Sequence, residues 1–141
     1  MNVNECKETF LNQLNNFNIV YHVISDEQGE LIVIEESLRK VTNVDVTQYI
    51  IRFLQIHERV YMCLNVGPIY KVLDNNGISN ALIGINNVNM EVYDEKFFIQ
   101  GNFIRCTVNM DLMNGMHTLN TFLAVHDKIS DSSFINKLIG G

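Results

Sequence analysis

The chain lacks a long apolar run and a leader pattern. No stretch approaches the roughly eighteen uncharged apolar residues that a membrane-spanning helix needs. The first residues, Met1 to Glu5, also lack the basic segment and the apolar run of a secretory signal. We therefore expect a soluble, cytoplasmic protein without a membrane partner.

Charge of either sign is scarce, and basic charge is scattered. Ten Lys and Arg residues stand against sixteen Asp and Glu residues, which gives a formal net charge of −6. Basic residues occur singly, as at Lys7, Arg52 and Arg105, so no positive stripe is available to follow a phosphate backbone. We expect no nucleic acid partner. Hydrophobic residues make up 47% of the chain and charged residues 18%, which excludes disorder and indicates a surface that associates easily.

Cysteine is also too sparse for a disulfide framework. The three cysteines are Cys6, Cys63 and Cys106, and their odd number leaves one thiol over in any pairing scheme. Cys63 and Cys106 fall inside strand-like patterns, where a reduced cysteine packs as a small apolar residue. We predict three buried free thiols.

No group of histidines has metal-ligand spacing. The histidines are His22, His57, His117 and His126. His117 and His126 are nine residues apart on the last predicted helix, whereas two ligands on one helix need i, i+4 spacing. We expect no metal site.

A catalytic reading of the remaining reactive residues is also disfavoured. Cys106, His126 and Asp127 include the groups of a nucleophile, a base and an orienting acid. No strained turn or helix start lies beside Cys106, so a packed thiol is the better interpretation. Gly77 and Gly84 lack the lysine and hydroxyl residue of a phosphate-binding loop. We predict no catalytic residue, no cofactor and no enzyme.

The periodicity of apolar residues predicts the elements of the first half. Asn2 and Glu5 have the spacing of a helix cap, and a helix is predicted over 3–15. Alternating patterns then predict strands over 17–24, 31–34, 47–56 and 60–66. Residues 37–46 are a loop or a frayed edge. In the segment 67–74, Gly67-Pro68 either ends the sheet or makes a bulge after which the strand resumes.

The second half is predicted to contain a helix, a long hairpin and a final helix. The helix covers 75–87, and its two glycines suggest close packing on the sheet. The hairpin covers 88–108, with a strand at Met90 and Val92, a turn over 94–96 and a long strand bulged at Gly101. The last helix begins at Met116 and is interrupted near 130–132. Since no repeat or linker occurs, we predict one α+β domain over 1–141, an antiparallel β-sheet flanked by helices.

The middle helix and the hairpin carry a resemblance to a known family. The passages Ser79 to Asn87, Met90 to Asp94 and Phe97 to Asp111 resemble the YbjN family, which is allied to the class I type III secretion chaperones. The family's asparagine-bearing turn is matched by Leu82 to Asn86. The resemblance extends from Tyr49 to Val125, but four strand-like runs precede the middle helix where the family has three.

What the resemblance implies is a secretion-chaperone-like fold of helix, strands, helix, two strands and helix. It further implies a homodimer and a chaperone-like or regulatory role in binding other polypeptides. It implies no catalytic residue.

Aromatic and methionine residues supply a candidate protein-binding surface. Such side chains favour binding surfaces, and they exceed what one sheet face can hide. The candidates are Tyr49, Phe53, Tyr61, Met62, Tyr70 and Phe98, with plain core packing as the alternative for each. A polypeptide partner of unknown identity and a homodimer are expected, and a subunit of a larger assembly stays open. The alternative is a small-molecule-binding domain or a small enzyme with a pocket between sheet and helices.

Overall fold

The structure is a computed structural model, and it describes residues 2–92, 94–112 and 117–141. Its elements in chain order are α1 (Val3–Asn16), β1 (His22–Asp26), β2 (Gly29–Glu36), β3 (Thr47–Ile56), β4 (Arg59–Lys71), α2 (Asn75–Glu91), β5 (Glu95–Gln100), β6 (Phe103–Asp111), α3 (Thr118–Ile129) and α4 (Ser132–Leu138). The strands form one antiparallel sheet in the order β1-β2-β3-β4-β6-β5. The predicted α+β class and the four strands before the middle helix are confirmed.

α1 forms where its cap and apolar spacing predict it. The Asn2 side chain accepts a hydrogen bond from the Glu5 backbone N–H at 2.8 Å and donates one to the Glu5 carboxylate at 2.9 Å. This reciprocal cap satisfies a backbone donor that the first turn leaves free. One face of the helix buries Cys6, Phe10 and Leu14. The Phe10 ring meets Phe53 of β3 edge to face at 6.1 Å.

α3 and α4 pack on the same face of the sheet as α1. Tyr49 of β3 contacts Phe122 of α3, with ring centroids 4.8 Å apart. Phe97 of β5 contacts Phe134 of α4 at 5.5 Å. The hydrophobic core therefore lies between one face of the sheet and a layer of helices.

The first strand starts later than predicted because α1 ends in a three-residue motif. Asn18 has a left-handed φ of 56°, and the Ile19 N–H donates to the Leu14 carbonyl at 2.9 Å. This six-to-one hydrogen bond after a left-handed residue is the Schellman ending of a helix. This helix ending includes the first residues of the strand predicted over 17–24, so β1 begins only at His22.

The boundary between α2 and the following hairpin was predicted wrongly. α2 begins at the cap residue Asp74, which accepts from the Gly77 N–H at 2.6 Å, and continues to Glu91. Val88 follows the buried Ile85 by three residues and is itself buried, so the helical period outlasts Asn87. The predicted strand at Met90 and Val92 is therefore absent from the described residues.

The predicted long strand from Phe97 to Val108 is two strands. Gly101, with a φ of 61°, lies in the turn between β5 and β6 and is not a bulge. The Lys96 position, predicted as a turn, lies in β5. Helical structure does break near 130–132, as predicted, because α3 ends at Ile129 and α4 starts at Ser132. The predicted helix start at Met116 lies outside the described residues.

The two segments left open by the sequence are resolved. β4 continues through the cis Gly67-Pro68 bond to Lys71, with a register shift against β6 between Val66 and Tyr70. The bulge alternative is thus the observed one. In the loop 37–46, the Asn43 side chain donates to the Lys71 carbonyl at 2.6 Å and accepts from the Lys71 N–H at 2.7 Å.

Close packing at Gly84 is observed, but against the end of α4 instead of the sheet. A Cβ built there would lie 2.6 Å from the Leu138 carbonyl oxygen and would also overlap that of Lys137. Among the described helices, none combines the length and apolarity required to cross a membrane.

Candidate functional site

The face of the sheet opposite the helices is the candidate site, and we call it the open face. Burial alternates along β3: Tyr49, Ile51 and Phe53 are buried, whereas Ile50, Arg52 and Leu54 are only half-buried. The pairing of the strands places residues of β1, β2 and β4 on the same face as these half-buried residues of β3. Over the part of the chain that the structure describes, the ring contacts of α1, α3 and α4 all lie on the other face.

The half of the open face formed by β1 to β4 is largely apolar. Its residues are His22, Ile24, Asp26, Leu31, Val33, Ile50, Arg52, Leu54, Tyr61 and Cys63. Ile24 is 51% exposed, and Leu31, Ile50 and Leu54 are half-buried. An antiparallel sheet with one solvated face normally places polar residues there. A contiguous apolar surface of this kind marks an interaction site.

The other half of the open face is polar. β4, β6 and β5 present Asn65, Thr107 and Lys96 in one row across the sheet. Arg105 of β6 lies over Gly67 of β4, where its guanidinium takes the space that a side chain would fill. The apolar surface is therefore bounded on one side by amide, hydroxyl and cationic groups.

One ion pair crosses the apolar half. Arg52 of β3 pairs with Asp26 of β1, and the Arg52 side chain is only 13% exposed. The hydrogen bond from Arg52, together with that from the Gln28 N–H, holds the pKa of the Asp26 carboxyl below its usual range. The Arg52 Nη1 is buried and has no hydrogen-bond partner among the described residues.

The six residues predicted as a binding surface are divided by the fold. Tyr49, Phe53 and Met62 are buried in the core under the helices and are not available on the surface of this chain. Tyr61 is half-buried on the open face, opposite Leu54. Phe98 lies on the same face of edge strand β5, opposite Arg105, and is 37% exposed.

Tyr70, the sixth residue, is half-buried, pairs with Ile104 and packs against the core. The prediction favoured aromatic residues and so missed the aliphatic ones, Ile24, Leu31, Ile50 and Leu54, which form most of the apolar surface. These aliphatic residues could have been found from the strand patterns, in which apolar residues occur on both faces of the sheet.

The three cysteines are free, and Cys6 and Cys106 are buried as predicted. The prediction was wrong for Cys63, which is half-buried on the open face instead of buried. Burial raises the pKa of the Cys106 thiol to about 12. Burial also raises the pKa of Cys63, although the neighbouring Arg52 acts in the opposite direction. Because the thiolate is the nucleophile, both groups are protonated and poorly reactive at neutral pH.

The imidazole of His126 is bound within the core and not to a cysteine among the described residues. Its Nδ1 is 2.9 Å from the Tyr49 hydroxyl oxygen, and its ring stacks on Phe122 at an interplanar angle of 11°. Desolvation raises the pKa of Tyr49 well above its ordinary value. The adjacent Asp127 is exposed. His126 thus gives the buried Tyr49 hydroxyl a hydrogen-bond partner, so its role is in packing.

One pocket lies between a helix and the sheet. It has a volume of about 240 Å³ and is enclosed by the start of α1, the β1–β2 turn and β3. Lys7 of α1 and Glu30 of β2 form an ion pair of 2.7 Å beside it. Over the described residues, no cluster of three His, Cys, Asp or Glu side chains is placed to hold a metal ion.

Comparison with known proteins finds similarity to a solved structure. No protein-family model matches the chain, and no curated protein sequence matches it. The chain is similar to the crystal structure of YbjN from E. coli, described as a candidate transcription regulator, with 12% identity and a TM-score of 0.47. The match covers 93% of this chain and 87% of that chain. The resemblance to YbjN predicted from the sequence agrees with this match.

Proposed function

We propose that the protein is a non-enzymatic, homodimeric polypeptide-binding domain whose open face binds an apolar segment of a partner protein. The observation that carries the proposal is the contiguous apolar surface of β1 to β4, with Ile24, Leu31, Ile50 and Leu54 on the side of the sheet away from the helices. Removing such side chains from water contributes about 25 cal/mol per Å² of apolar area, which offsets the entropy lost on association.

The polar groups at this surface suggest what the bound segment looks like. Within the apolar half, Arg52 is already paired with Asp26, which favours an apolar segment there. The polar half favours a segment with apolar residues at one end and hydrogen-bonding residues at the other. A chaperone, a regulator and an assembly subunit would each use such a surface.

A small-molecule site is the second candidate, and the pocket beside Lys7 and Glu30 lies at the predicted position between a helix and the sheet. Its volume of about 240 Å³ is smaller than the roughly 300–1,000 Å³ of typical ligand pockets. The ion pair of 2.7 Å already joins its two charged groups. The open face is therefore the stronger candidate.

Selection from a random peptide library tests the proposal. We expect the wild-type protein to enrich apolar peptides, and the purified peptides to bind Leu54→Lys at least about tenfold more weakly. Leu82→Lys is the matched control, since Leu82 is an exposed leucine on α2, away from the open face. Equal binding by wild type and Leu54→Lys, or no enrichment at all, would contradict the proposal.

A further inference from the structure

The two edge strands of the sheet differ in protection. At β5, the Asn89 side chain of α2 donates to the Phe97 carbonyl at 3.0 Å and accepts from the Phe97 N–H at 2.9 Å. These backbone groups are the ones that an additional strand would bind. Asn89 therefore takes the place of a neighbouring strand, which is one way in which proteins protect a sheet edge.

The edge at β1 has no such protection among the described residues. All five residues of β1 are exposed, and β1 pairs with β2 on one side only. In an antiparallel pair, alternate residues direct their N–H and C=O groups to the side away from the partner. Apolar side chains accompany this edge, with Val23 44% exposed and the preceding Val20 78% exposed. A free apolar edge is a template for pairing with another strand.

We infer that β1 is a dimer interface, where it pairs antiparallel with β1 of a second copy of this chain about a twofold axis at Ile24. The inference rests on the homodimer of the proposed function and names its interface. In this register His22 lies opposite Asp26 of the partner subunit, and Ile24 lies opposite its own copy. Each twofold-related position repeats the contact, as an isologous interface requires.

The sequence of β1 is complementary to itself in that register. His22, Ile24 and Asp26 share the open face, so an aliphatic pair at the axis is flanked by two imidazole–carboxylate pairs. Hydrogen-bonding pairs and apolar pairs at directly opposed positions stabilise antiparallel strands. Moving the axis to Val23 or to Ser25 places Ile24 opposite His22 or Asp26 and loses this match. The pattern of these side chains therefore selects a second copy as the occupant of the edge.

The dimer joins two six-stranded sheets edge to edge. Directly opposed residues of an antiparallel pair lie on the same face. The two open faces then form one surface, with the apolar residues Ile24 and Leu31 of each copy near its centre.

Sedimentation equilibrium of the full chain tests the inference. We expect a dimer for wild type and a dissociation constant at least about tenfold higher for Ile24→Lys, because two like charges replace the aliphatic pair. Met90→Lys is the matched control, since Met90 is 85% exposed on α2. Circular dichroism checks that both variants are folded. A wild-type monomer at about 100 µM, a concentration that detects a dissociation constant near 1 mM, would overturn the inference and the homodimer together.

A wild-type dimer that Ile24→Lys leaves intact would overturn the β1 interface but not the homodimer. Peptide binding by the open face is measured separately, so its loss or retention is distinguishable from either result. Ile24→Cys gives a test that does not depend on weakening the dimer. Opposed Cα atoms in an antiparallel pair are about 4.5–5.5 Å apart, which is within disulfide range. We expect oxidation to cross-link Ile24→Cys but not Met90→Cys, and absence of the Ile24→Cys cross-link would overturn the inference.

Discussion

Arg52 of β3 reaches across β2 to the carboxylate of Asp26, at the end of β1. This ion pair connects an edge hairpin to a central strand on the open face. The Asp26 side chain is 42% exposed, whereas that of Arg52 is largely buried. Substitution of one partner therefore has a different effect on the protein from substitution of the other. Loss of Asp26 leaves a buried guanidinium without its counter-ion, whereas loss of Arg52 leaves a solvated carboxylate.

The first prediction concerns the acid stability of this pair. The pKa of Asp26 is lower in the folded protein than its unfolded value of about 3.9, so its contribution to stability is present above that value. It is lost as the pH falls through the folded pKa. We expect Asp26→Asn to remove this part of the acid sensitivity in urea denaturation below pH 4. An unchanged pH dependence in the variant would show that the pair does not stabilise the fold.

The second prediction concerns the protected edge. Asn89→Ala removes both hydrogen bonds to Phe97, and we expect the free energy of unfolding to fall by about 1–3 kcal/mol. Asn86→Ala is the control, since Asn86 is exposed on the same helix, and alanine has the higher helix propensity. Urea denaturation measures both variants. Equal stability of the two would contradict the role assigned to Asn89.

The third prediction concerns the contact of α2 with α4. Gly84→Ala improves helix propensity by about 1 kcal/mol, but its Cβ meets backbone atoms of Lys137 and Leu138. Backbone cannot rotate away, so we expect a net destabilisation of about 1–3 kcal/mol by thermal or urea unfolding.

Gly77→Ala is the matched control for that variant. The atoms nearest its Cβ belong to the side chains of Val72 and Asp74, which adjust more easily. We expect a change smaller than about 1 kcal/mol in either direction. A larger loss at Gly77 than at Gly84 would contradict the close approach of the two helices.

The fourth prediction concerns the buried pair of Tyr49 and His126. Because burial raises the pKa of Tyr49 above its unfolded value of about 10, the associated stability is present below that pH and declines as the pH rises further. We expect Tyr49→Phe to cost about 1 kcal/mol at neutral pH but to lose less stability above pH 10. The phenolate absorbance of Tyr49, taken as the difference between folded wild type and Tyr49→Phe, should appear only well above pH 10. Its appearance near pH 10 in the folded protein would contradict the burial of Tyr49.

Helices and strands were predicted correctly where a capping residue and the apolar periodicity indicate the same boundary. The prediction failed where the same periodicity continues on both sides of a turn. Asn2 and Glu5 placed the start of α1 correctly because the cap is local. The alternation from Phe97 to Val108 hid the turn at Gly101, since both strands of a hairpin have the same period of two. Asn18 ended α1 through its backbone conformation, which apolar spacing does not encode.

The candidate surface was harder to predict than the fold. The patterns of β3 and β4 identified two apolar faces, but which face the helices cover depends on contacts between residues far apart in the chain. Tyr49 and Tyr61 looked equivalent as residues of alternating strands, yet Tyr49 lies against Phe122 and Tyr61 lies on the open face. Long-range packing decides such a choice, and period alone does not contain it.

Asn89 has one more effect, on the size that an assembly is able to reach. A β-sheet with two free edges continues to add chains, because each added chain presents a new free edge to the next one. Here the Asn89 carboxamide occupies the backbone groups of Phe97 on β5, whereas β1 has no such cover among the described residues. In the dimer that we propose, association through β1 therefore closes on a pair, and Asn89 opposes the addition of a further strand at β5.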